Sequence, residues 1–205
     1  MPDFPAEGEE ARASKAALRS QLLAQRRAMA PFKRRAAALA LHAALLDLVD
    51  RIRPSTIGAY VPVGAEPGGP DLPSVLYHVG RLLLPILLAD ADLDWAAYDG
   101  SLASGPRGLL HPAGPALGVE AIREAALVVV PALAVDRSGM RLGRGGGSYD
   151  RVLARVADSV PTVALLYDGE LLDVVPGESH DRRVGAAITP GGGVKVFRTG
   201  VEWTK

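Results

Sequence analysis

Hydrophobic and polar residues follow two different patterns in this chain. Over roughly the first fifty residues they recur at helical spacing, and after that the apolar residues gather in short runs. The helical pattern covers Glu9–Met29 and then about Phe32–Val49, the second stretch being rich in alanine and leucine. It predicts two consecutive helices. Residues 1–8 are polar and contain two prolines, so we expect a flexible tail before the first helix.

The short apolar runs that follow are bounded by turn residues, as β-strands are. Continuous runs of this kind are typical of strands buried on both faces of a parallel sheet, and the stretches between them are long enough for helical crossovers. The pattern therefore predicts an α/β fold with a mostly parallel central sheet. The predicted strands are Thr56–Val61, Arg81–Pro85, Leu127–Val130, Thr162–Leu166 and a final Val194–Phe197, and the glycine- and proline-rich segments Val63–Pro73 and Gly100–Gly118 are predicted loops or lids.

Composition narrows the class of protein. The chain has 205 residues, 48% of them hydrophobic, which suits a single domain with its own core, and we expect that domain to span 9–205. The 23 basic and 23 acidic residues cancel, so no overall field favours nucleic acid or an anionic membrane as a partner. Cysteine is absent, which excludes disulfides and thiolate chemistry. The apolar runs are short and the N-terminus does not resemble a signal peptide, so we expect a cytoplasmic protein. We also expect a monomer.

The most informative segment is a glycine-rich run, Arg141-Leu142-Gly143-Arg144-Gly145-Gly146-Gly147-Ser148-Tyr149-Asp150. Its glycines allow a sharp turn, and a helix that starts near Ser148 would point its N-terminal amides at the same place. Backbone amides arranged in this way bind phosphate, and Arg141 and Arg144 would add charge-assisted contacts to it. The run matches neither the P-loop nor the dinucleotide fingerprint. It predicts a site of another architecture for a phosphorylated ligand.

Carboxylates near this run are candidate metal ligands. Asp150 has no cation at the positions three and four residues further along its helix, so that helix leaves it free to hold a metal. Asp181 is a candidate second ligand, because Mg²⁺ takes one or two carboxylates beside phosphate oxygens and waters. Two alternatives stay open. Asp150 could only complement the helix dipole in an ordinary turn, and Asp181 could pair with Arg182 or Arg183.

Other candidate residues lie outside the glycine-rich run. Lys15 and Arg19 are one helical turn apart, and they either clamp a polyphosphate or belong to a solvated face. Glu66 follows the end of a predicted strand, where parallel sheets carry ligand-binding groups. Trp95 and Tyr98 either line a pocket for an aromatic ligand or belong to the core.

Taken in order along the chain, these motifs resemble one family, the 5-formyltetrahydrofolate cyclo-ligases, also called methenyltetrahydrofolate synthetases. The resemblance covers nearly the whole chain. Its most specific element is Pro131–Met140 running into Arg141–Arg151, which is similar to the family's proline, aspartate-glycine turn and Arg-Leu-Gly-x-Gly-x-Gly-Tyr-Tyr-Asp pattern. Supporting elements are Lys15-x-x-x-Arg19, Glu66 after its strand, Pro85, and Pro176…His180-Asp181…Ile188-Thr189-Pro190.

The resemblance implies a three-layer α/β/α sandwich and a reaction. The reaction is the ATP- and Mg²⁺-dependent closure of 5-formyltetrahydrofolate to 5,10-methenyltetrahydrofolate, with release of ADP and phosphate. Transfer of the γ-phosphoryl group to the formyl oxygen would let that oxygen depart as phosphate after N10 attacks. Such a transfer needs positioning and charge neutralisation rather than a side-chain nucleophile.

The resemblance also implies roles for individual residues. Arg144 and Asp150 would be catalytic, and Asp150 and Asp181 would bind Mg²⁺. Folate contacts would come from Val61, Glu66, Arg144, Gly145, Gly146, Gly147 and Ser148. ATP contacts would come from Lys15, Arg19, Arg141, Leu142, Gly143, Arg144, Gly145, Gly146, Gly147, Ser148 and Tyr149.

Three positions depart from the family pattern. Ser148 stands where the first of two tyrosines is usual, Gly185 where aspartate often follows Asp181 by four residues, and His111 where glutamate is frequent. Because the first two departures could weaken turnover, a second hypothesis makes the protein a folate- or nucleotide-binding regulator of the same fold with little catalysis. A third, a sugar-phosphate isomerase or related phosphate-ester enzyme, would need no ATP.

Overall fold

The computed structural model describes residues 7–197 and 203, and this part of the chain begins with the two predicted helices. The first starts at Glu7, two residues earlier than predicted, and the rest of the predicted tail lies outside the described residues. None of the described helices is long and apolar enough to cross a membrane. The helices are α1 (Glu7–Ala28), α2 (Pro31–Ile52), α3 (Leu72–Tyr77) and α4 (Ser148–Arg155), with 3-10 turns at Pro106–Gly108 and Val119–Glu124.

The strands of the described chain are β1 (Thr56–Gly58), β2 (Arg81–Leu87), β3 (Leu93–Ala97), β4 (Leu102–Ser104), β5 (Leu110–Pro112), β6 (Leu127–Pro131), β7 (Ala134–Asp136), β8 (Arg141–Leu142), β9 (Thr162–Leu165), β10 (Leu171–Leu172), β11 (Ala186–Thr189) and β12 (Gly193–Val196). Seven of them form one sheet in the order β12-β11-β9-β6-β1-β2-β3. The five inner strands are parallel and the two edge strands are antiparallel. The predicted α/β class with a mostly parallel sheet is confirmed.

Side chains of the inner strands alternate between two cores. Leu82 and Leu84 of β2 pack on one face of the sheet, and Leu83 packs on the other. Helices α2 and α3 cover the first face, whereas α4 and the second 3-10 turn cover the second. These layers make the three-layer α/β/α sandwich that the resemblance implies. Trp95 and Tyr98 are buried in opposite cores, so their interpretation as core residues is confirmed.

The apolar pattern missed several strands. β3 and β11 were not predicted, and the segment Gly100–Gly118, predicted as a loop, contains the hairpin β4–β5. β11 is a short strand in which alanine, a weak strand former, takes two of the four positions. It is a strand because β9 and β12 pair with it on both sides. β1 ends at Gly58, three residues before its predicted end.

Helix α1 lies on neither face of the large sheet. Its Leu22 packs with Leu133, Leu142 and Val175 in a third core, over the small sheet β10-β7-β8. Further along α1, Arg26 donates to the carbonyl of Ala132, one residue past the end of β6. The helix is thus held at the carboxyl end of the parallel strands, beside the glycine-rich run that follows β8.

Candidate active site

A cavity of about 480 Å³ opens at the carboxyl end of the sheet, within the size range of small-molecule sites. Every residue that the sequence proposed as a site residue contributes to its wall. Those residues are Lys15, Arg19, Val61, Glu66, Arg141, Leu142, Gly143, Arg144, Gly145, Gly146, Gly147, Ser148, Tyr149, Asp150 and Asp181. Their roles stay predictions, but their convergence from α1, the segment after β1, the glycine-rich run and the loop before β11 is a property of the fold.

The glycine-rich run turns as the sequence predicted. Gly145 and Gly147 have φ of +101° and +68°, in the left-handed region that favours glycine, and Gly147 caps α4. The Arg19 guanidinium lies over this turn, and its Nε donates to the carbonyl oxygen of Gly143 at 2.9 Å. α1 therefore packs over the glycine-rich run, and the alternative of a solvated face for Arg19 is wrong.

Lys15 is buried too, and it is neutralised by two carboxylates. Its Nζ donates to Oε2 of Glu178 at 2.8 Å and to Oδ2 of Asp181 at 2.5 Å. Burial pulls the pKa of the Lys15 ammonium down, but the hydrogen bonds to Asp181 and Glu178 outweigh burial, so the pKa lies above its ordinary value. The alternative in which Asp181 pairs with Arg182 or Arg183 is replaced by the pair with Lys15.

Asp150 also has a cationic partner, contrary to the expectation that it is free. Arg141, whose side chain is buried, donates from Nη2 to Oδ1 of Asp150 at 2.8 Å, and the backbone amide of Arg182 donates to the same oxygen at 3.1 Å. Spacing along one helix identifies only the cations of that helix, whereas the partner of Asp150 comes from β8. Arg141 Nε is buried without a hydrogen-bond partner among the described residues.

The carboxylates of Asp150 and Asp181 fit a metal ion that arrives with phosphate. The hydrogen bonds of Asp150 and Asp181 each use one carboxylate oxygen. The second oxygen of each accepts no hydrogen bond from the described residues, and His180 Nε2 lies 3.8 Å from that oxygen of Asp181. Among those residues no group of three or more His, Cys, Asp or Glu could hold a metal ion. Mg²⁺ commonly takes only one or two carboxylates and completes its shell with phosphate oxygens and waters. The donor set therefore suits Mg²⁺ bound together with a nucleotide.

Another part of the cavity wall combines one carboxylate with apolar side chains. Glu66 accepts the backbone amide of Val63 on Oε2 at 2.8 Å, and its Oε1 receives Nη1 of Arg144 at 3.1 Å. The Glu66 side chain is only 10% exposed, whereas that of Arg144 is 53% exposed. The apolar lining comes from Val61, Pro85, Leu87, Leu93, Leu109 and Leu110.

Tyr149 also lines the cavity. Its ring packs against both main cores, and its hydroxyl is buried without a hydrogen-bond partner among the described residues. Burial raises the pKa of Tyr149 well above its ordinary value, the Glu66 carboxylate adds to that rise, and the Arg141 guanidinium opposes it. The phenol is therefore a neutral donor, and both Glu66 and Arg141 are close enough to act on it electrostatically.

Ser148 anchors the start of α4. Its Oγ donates to the carbonyl oxygen of Ala91 at 2.6 Å, in the turn between β2 and β3. The same turn is held by Asp92, which receives both Nη atoms of Arg155 and whose pKa that hydrogen bonding lowers to about 2. Ser148 thus makes a hydrogen bond to the β2–β3 turn at a position where the family pattern has an aromatic ring.

The second departure, Gly185, also has a physical reason. A Cβ at this position would lie 2.9 Å from the Trp203 ring, which is too close for any larger residue without a shift. The Gly185 amide donates to the carbonyl and the hydroxyl oxygen of Thr162, at 3.0 and 2.9 Å. An aspartate would have to displace Trp203. Gly185 is therefore fitted to the packing of this chain.

Some residues in the cavity wall have no role predicted from the sequence. They include Glu178, which accepts from Lys15, and Arg12, whose Nε donates to the other oxygen of Glu178 at 3.1 Å. The one available signal was the three-residue spacing of Glu178 and Asp181, which a single turn brings together. The other wall residues without a predicted role include Tyr60, His111 and His180.

Comparison with known proteins gives the same result for sequence and for fold. The model of the 5-formyltetrahydrofolate cyclo-ligase family matches residues 11–190. A 5-formyltetrahydrofolate cyclo-ligase of Mycolicibacterium smegmatis is 43% identical over 192 residues, which cover 90% of this chain and 98% of the relative.

Two solved structures share the fold. The NMR structure of 5,10-methenyltetrahydrofolate synthetase from Aquifex aeolicus has a TM-score of 0.77 at 24% identity and covers 91% of this chain and 94% of its own. A 5,10-methenyltetrahydrofolate synthetase from Mycoplasma pneumoniae has a TM-score of 0.67 at 19% identity, covering 84% and 96%. At these identities the likeness concerns architecture alone.

Proposed function

Because the chain belongs to the 5-formyltetrahydrofolate cyclo-ligase family, we propose that it uses ATP and Mg²⁺ to close 5-formyltetrahydrofolate into 5,10-methenyltetrahydrofolate, with release of ADP and phosphate. One observation carries this proposal. A single cavity is lined both by cations and the glycine-rich run and by a largely buried carboxylate, Glu66, with apolar side chains. That combination suits a triphosphate bound beside a pterin.

In the proposed reaction the formyl oxygen attacks the γ-phosphorus, and the bond between that phosphorus and ADP breaks. N10 then attacks the formyl carbon and loses its proton, and the carbon–oxygen bond breaks as phosphate leaves. Neither step needs a protein nucleophile. What the first step needs is alignment and neutralisation of phosphate charge, which cations and aligned backbone amides supply.

The protein's own charges support this assignment of the phosphate site. Lys15 now rests between Glu178 and Asp181, and Arg19 rests on the Gly143 carbonyl. We expect an incoming phosphate to take over the Arg19 donor, because a charge-assisted contact to phosphate is stronger than one to a neutral carbonyl. Lys15 donates to two carboxylates, and its ammonium has a third N–H for a phosphate oxygen. Asp150 and Asp181 would hold Mg²⁺, which supplies neutralisation of the phosphate oxygens when it is bound.

Glu66 suits the donor edge of the pterin. A carboxylate accepts two parallel N–H bonds from an aminopyrimidinone-like group. In the present structure Oε1 of Glu66 is engaged by Arg144, which is half exposed and long enough to move. We propose that the folate displaces Arg144 from Glu66 and that Arg144 then contacts the transferring phosphoryl group.

The proposal extends to the organisation of the protein. We propose that residues 9–205 act as one domain, as a monomer in the cytoplasm. Support for a single domain comes from the family match over residues 11–190, which includes every proposed site residue from Lys15 to Asp181.

The test is formation of the methenyl product. Purified protein is incubated with 5-formyltetrahydrofolate and ATP, with and without Mg²⁺, and near-ultraviolet absorbance of the product is followed. We expect a signal that requires both ATP and Mg²⁺. Asp150→Asn should lower turnover and weaken the Mg²⁺ dependence of nucleotide binding, whereas the exposed Asp173→Asn should behave as the wild type. Folate binding without product would favour the regulator hypothesis, and turnover without ATP would favour the phosphate-ester enzyme.

A further inference from the structure

Two cavity residues carry a buried polar atom that no described residue satisfies, the Tyr149 hydroxyl and Arg141 Nε. Buried polar groups in native proteins nearly always have a hydrogen-bond partner, so each exception needs a reason. Arg141 already uses other donors of its guanidinium on Asp150. Tyr149 has only one hydroxyl, and no described residue accepts a hydrogen bond from it.

Packing accounts for the Tyr149 ring and leaves its hydroxyl unexplained. The ring contacts both main cores, which fixes it in the first turn of α4 at the edge of the sheet. A phenylalanine would fill the same space without burying an unpartnered donor. Tyr60 gives the contrast, because its buried hydroxyl donates to the Pro67 carbonyl at 2.6 Å. That second tyrosine uses its hydroxyl to hold the loop around Glu66.

Tyr149 lines the cavity from the first turn of α4, directly after the glycine-rich turn and directly before the candidate metal ligand Asp150. If both substrates bind as proposed above, the γ-phosphate lies on that turn, next to Tyr149. A donor that has no partner among the described residues can bind a phosphoryl oxygen there without giving up another hydrogen bond.

We propose that the Tyr149 hydroxyl is held without a protein partner so that it can donate a hydrogen bond to an oxygen of the phosphoryl group while that group passes from ATP to the formyl oxygen. This role rests on the proposed function. It makes Tyr149 a residue of the transfer step and not only a contact of bound ATP. The bond adds no proton transfer to the reaction, since the hydroxyl keeps its hydrogen throughout.

The test is Tyr149→Phe, with two other tyrosine-to-phenylalanine variants for comparison. We expect kcat to fall about 10- to 100-fold, as for loss of one hydrogen bond to a charged group, while KM for each substrate stays within about threefold. Because the variant loses no hydrogen bond to a described residue, the urea midpoint should equal or exceed that of the wild type. Tyr60→Phe should lower the urea midpoint, and the exposed Tyr77→Phe should change neither kcat nor the midpoint.

The outcomes separate this inference from the proposed function. Wild-type protein that makes no product would overturn both. Active wild type with an equally active Tyr149→Phe variant would overturn the inference alone. A rise in KM with unchanged kcat would make Tyr149 a contact of the bound substrate, and a urea midpoint lowered as in Tyr60→Phe would reveal a structural hydrogen bond. Either result contradicts the transfer role.

Discussion

Lys15 and Arg26 lie three turns apart on α1. Both residues are 3% exposed and both are hydrogen-bonded to carboxylates, but the surroundings of the two cations differ. Arg26 places Nε and Nη2 on the two oxygens of Glu170, both at 2.7 Å, and Nη2 also reaches a backbone carbonyl. Its guanidinium lies 5.5 Å from the Tyr167 ring centre. Glu170 is fixed in turn by the Tyr167 amide.

The partners of Lys15 are held differently. Glu178 and Asp181 lie in the loop before β11, in the wall of the cavity, and Asp181 is itself a proposed metal ligand. An ammonium is a compact charge on a flexible stem, whereas a guanidinium fork locks onto one carboxylate. The difference teaches that burial of a cation does not reveal its role. What matters is whether its partners are committed to the fold or available for exchange with a ligand.

The variant Glu170→Ala tests the ion pair of Arg26 and should have the largest effect. It leaves Arg26 buried without a carboxylate, and we expect the free energy of unfolding in urea to fall by about 3–5 kcal/mol. Asp173→Ala, which removes the exposed partner of Arg137, should cost less than about 0.5 kcal/mol and is the control. A loss below about 1 kcal/mol for Glu170→Ala would mean that the Arg26 pair is not the structural anchor we describe.

Lys15→Met tests the other end of α1. We expect kcat/KM for ATP to fall about 10- to 100-fold, because one charge-assisted phosphate contact is lost. Stability should fall less than in Glu170→Ala, since Glu178 and Asp181 can regain water from the cavity. Arg12→Met removes a more exposed cation from the same Glu178 and should change the constant by less than about threefold. Equal losses in the two variants would contradict a special role for Lys15.

A third ion pair, between Asp92 and Arg155, is committed to the fold like that of Arg26, and it can be tested by pH. The pKa of Asp92 is lowered to about 2 in the folded protein, chiefly by Arg155, so its contribution to stability is present above about pH 4 and is lost as pH falls toward 2. Asp92→Asn should therefore be less stable than the wild type at pH 7, by about 2 kcal/mol. The gap should close between pH 4 and pH 2 in urea titrations. A gap that stays constant over this range would contradict the lowered pKa.

The smallest expected effect belongs to Ser148, which ties α4 to the β2–β3 turn without a charge. Ser148→Ala should lower the free energy of unfolding by about 0.5–1.5 kcal/mol, the usual worth of one hydrogen bond. Product formation should persist, because the backbone of the glycine-rich run is otherwise unchanged. Ser101→Ala, in an exposed turn, is the matched control. Loss of turnover without loss of stability would assign Ser148 to substrate instead.

The sequence predicted elements well where local pattern is strong. The runs at β2, β6 and β9 contain several valines and leucines and are largely buried. These strands can therefore be recognised from their own residues, without knowing which strands pair with them. β11 and the β4–β5 hairpin were missed because their residues carry little signal of their own. They are strands through hydrogen bonds to partners that the sequence does not identify.

The sequence alone determined the glycine-rich turn, the helix that follows it and the gathering of Arg141, Arg144 and Asp150 beside it, because these depend on spacing over a few residues. Only the tertiary structure decided how the charges are paired. Lys15 meets carboxylates 163 and 166 residues away. Such contacts are set by how α1 packs on the small sheet, since spacing along a chain governs contacts only within one element.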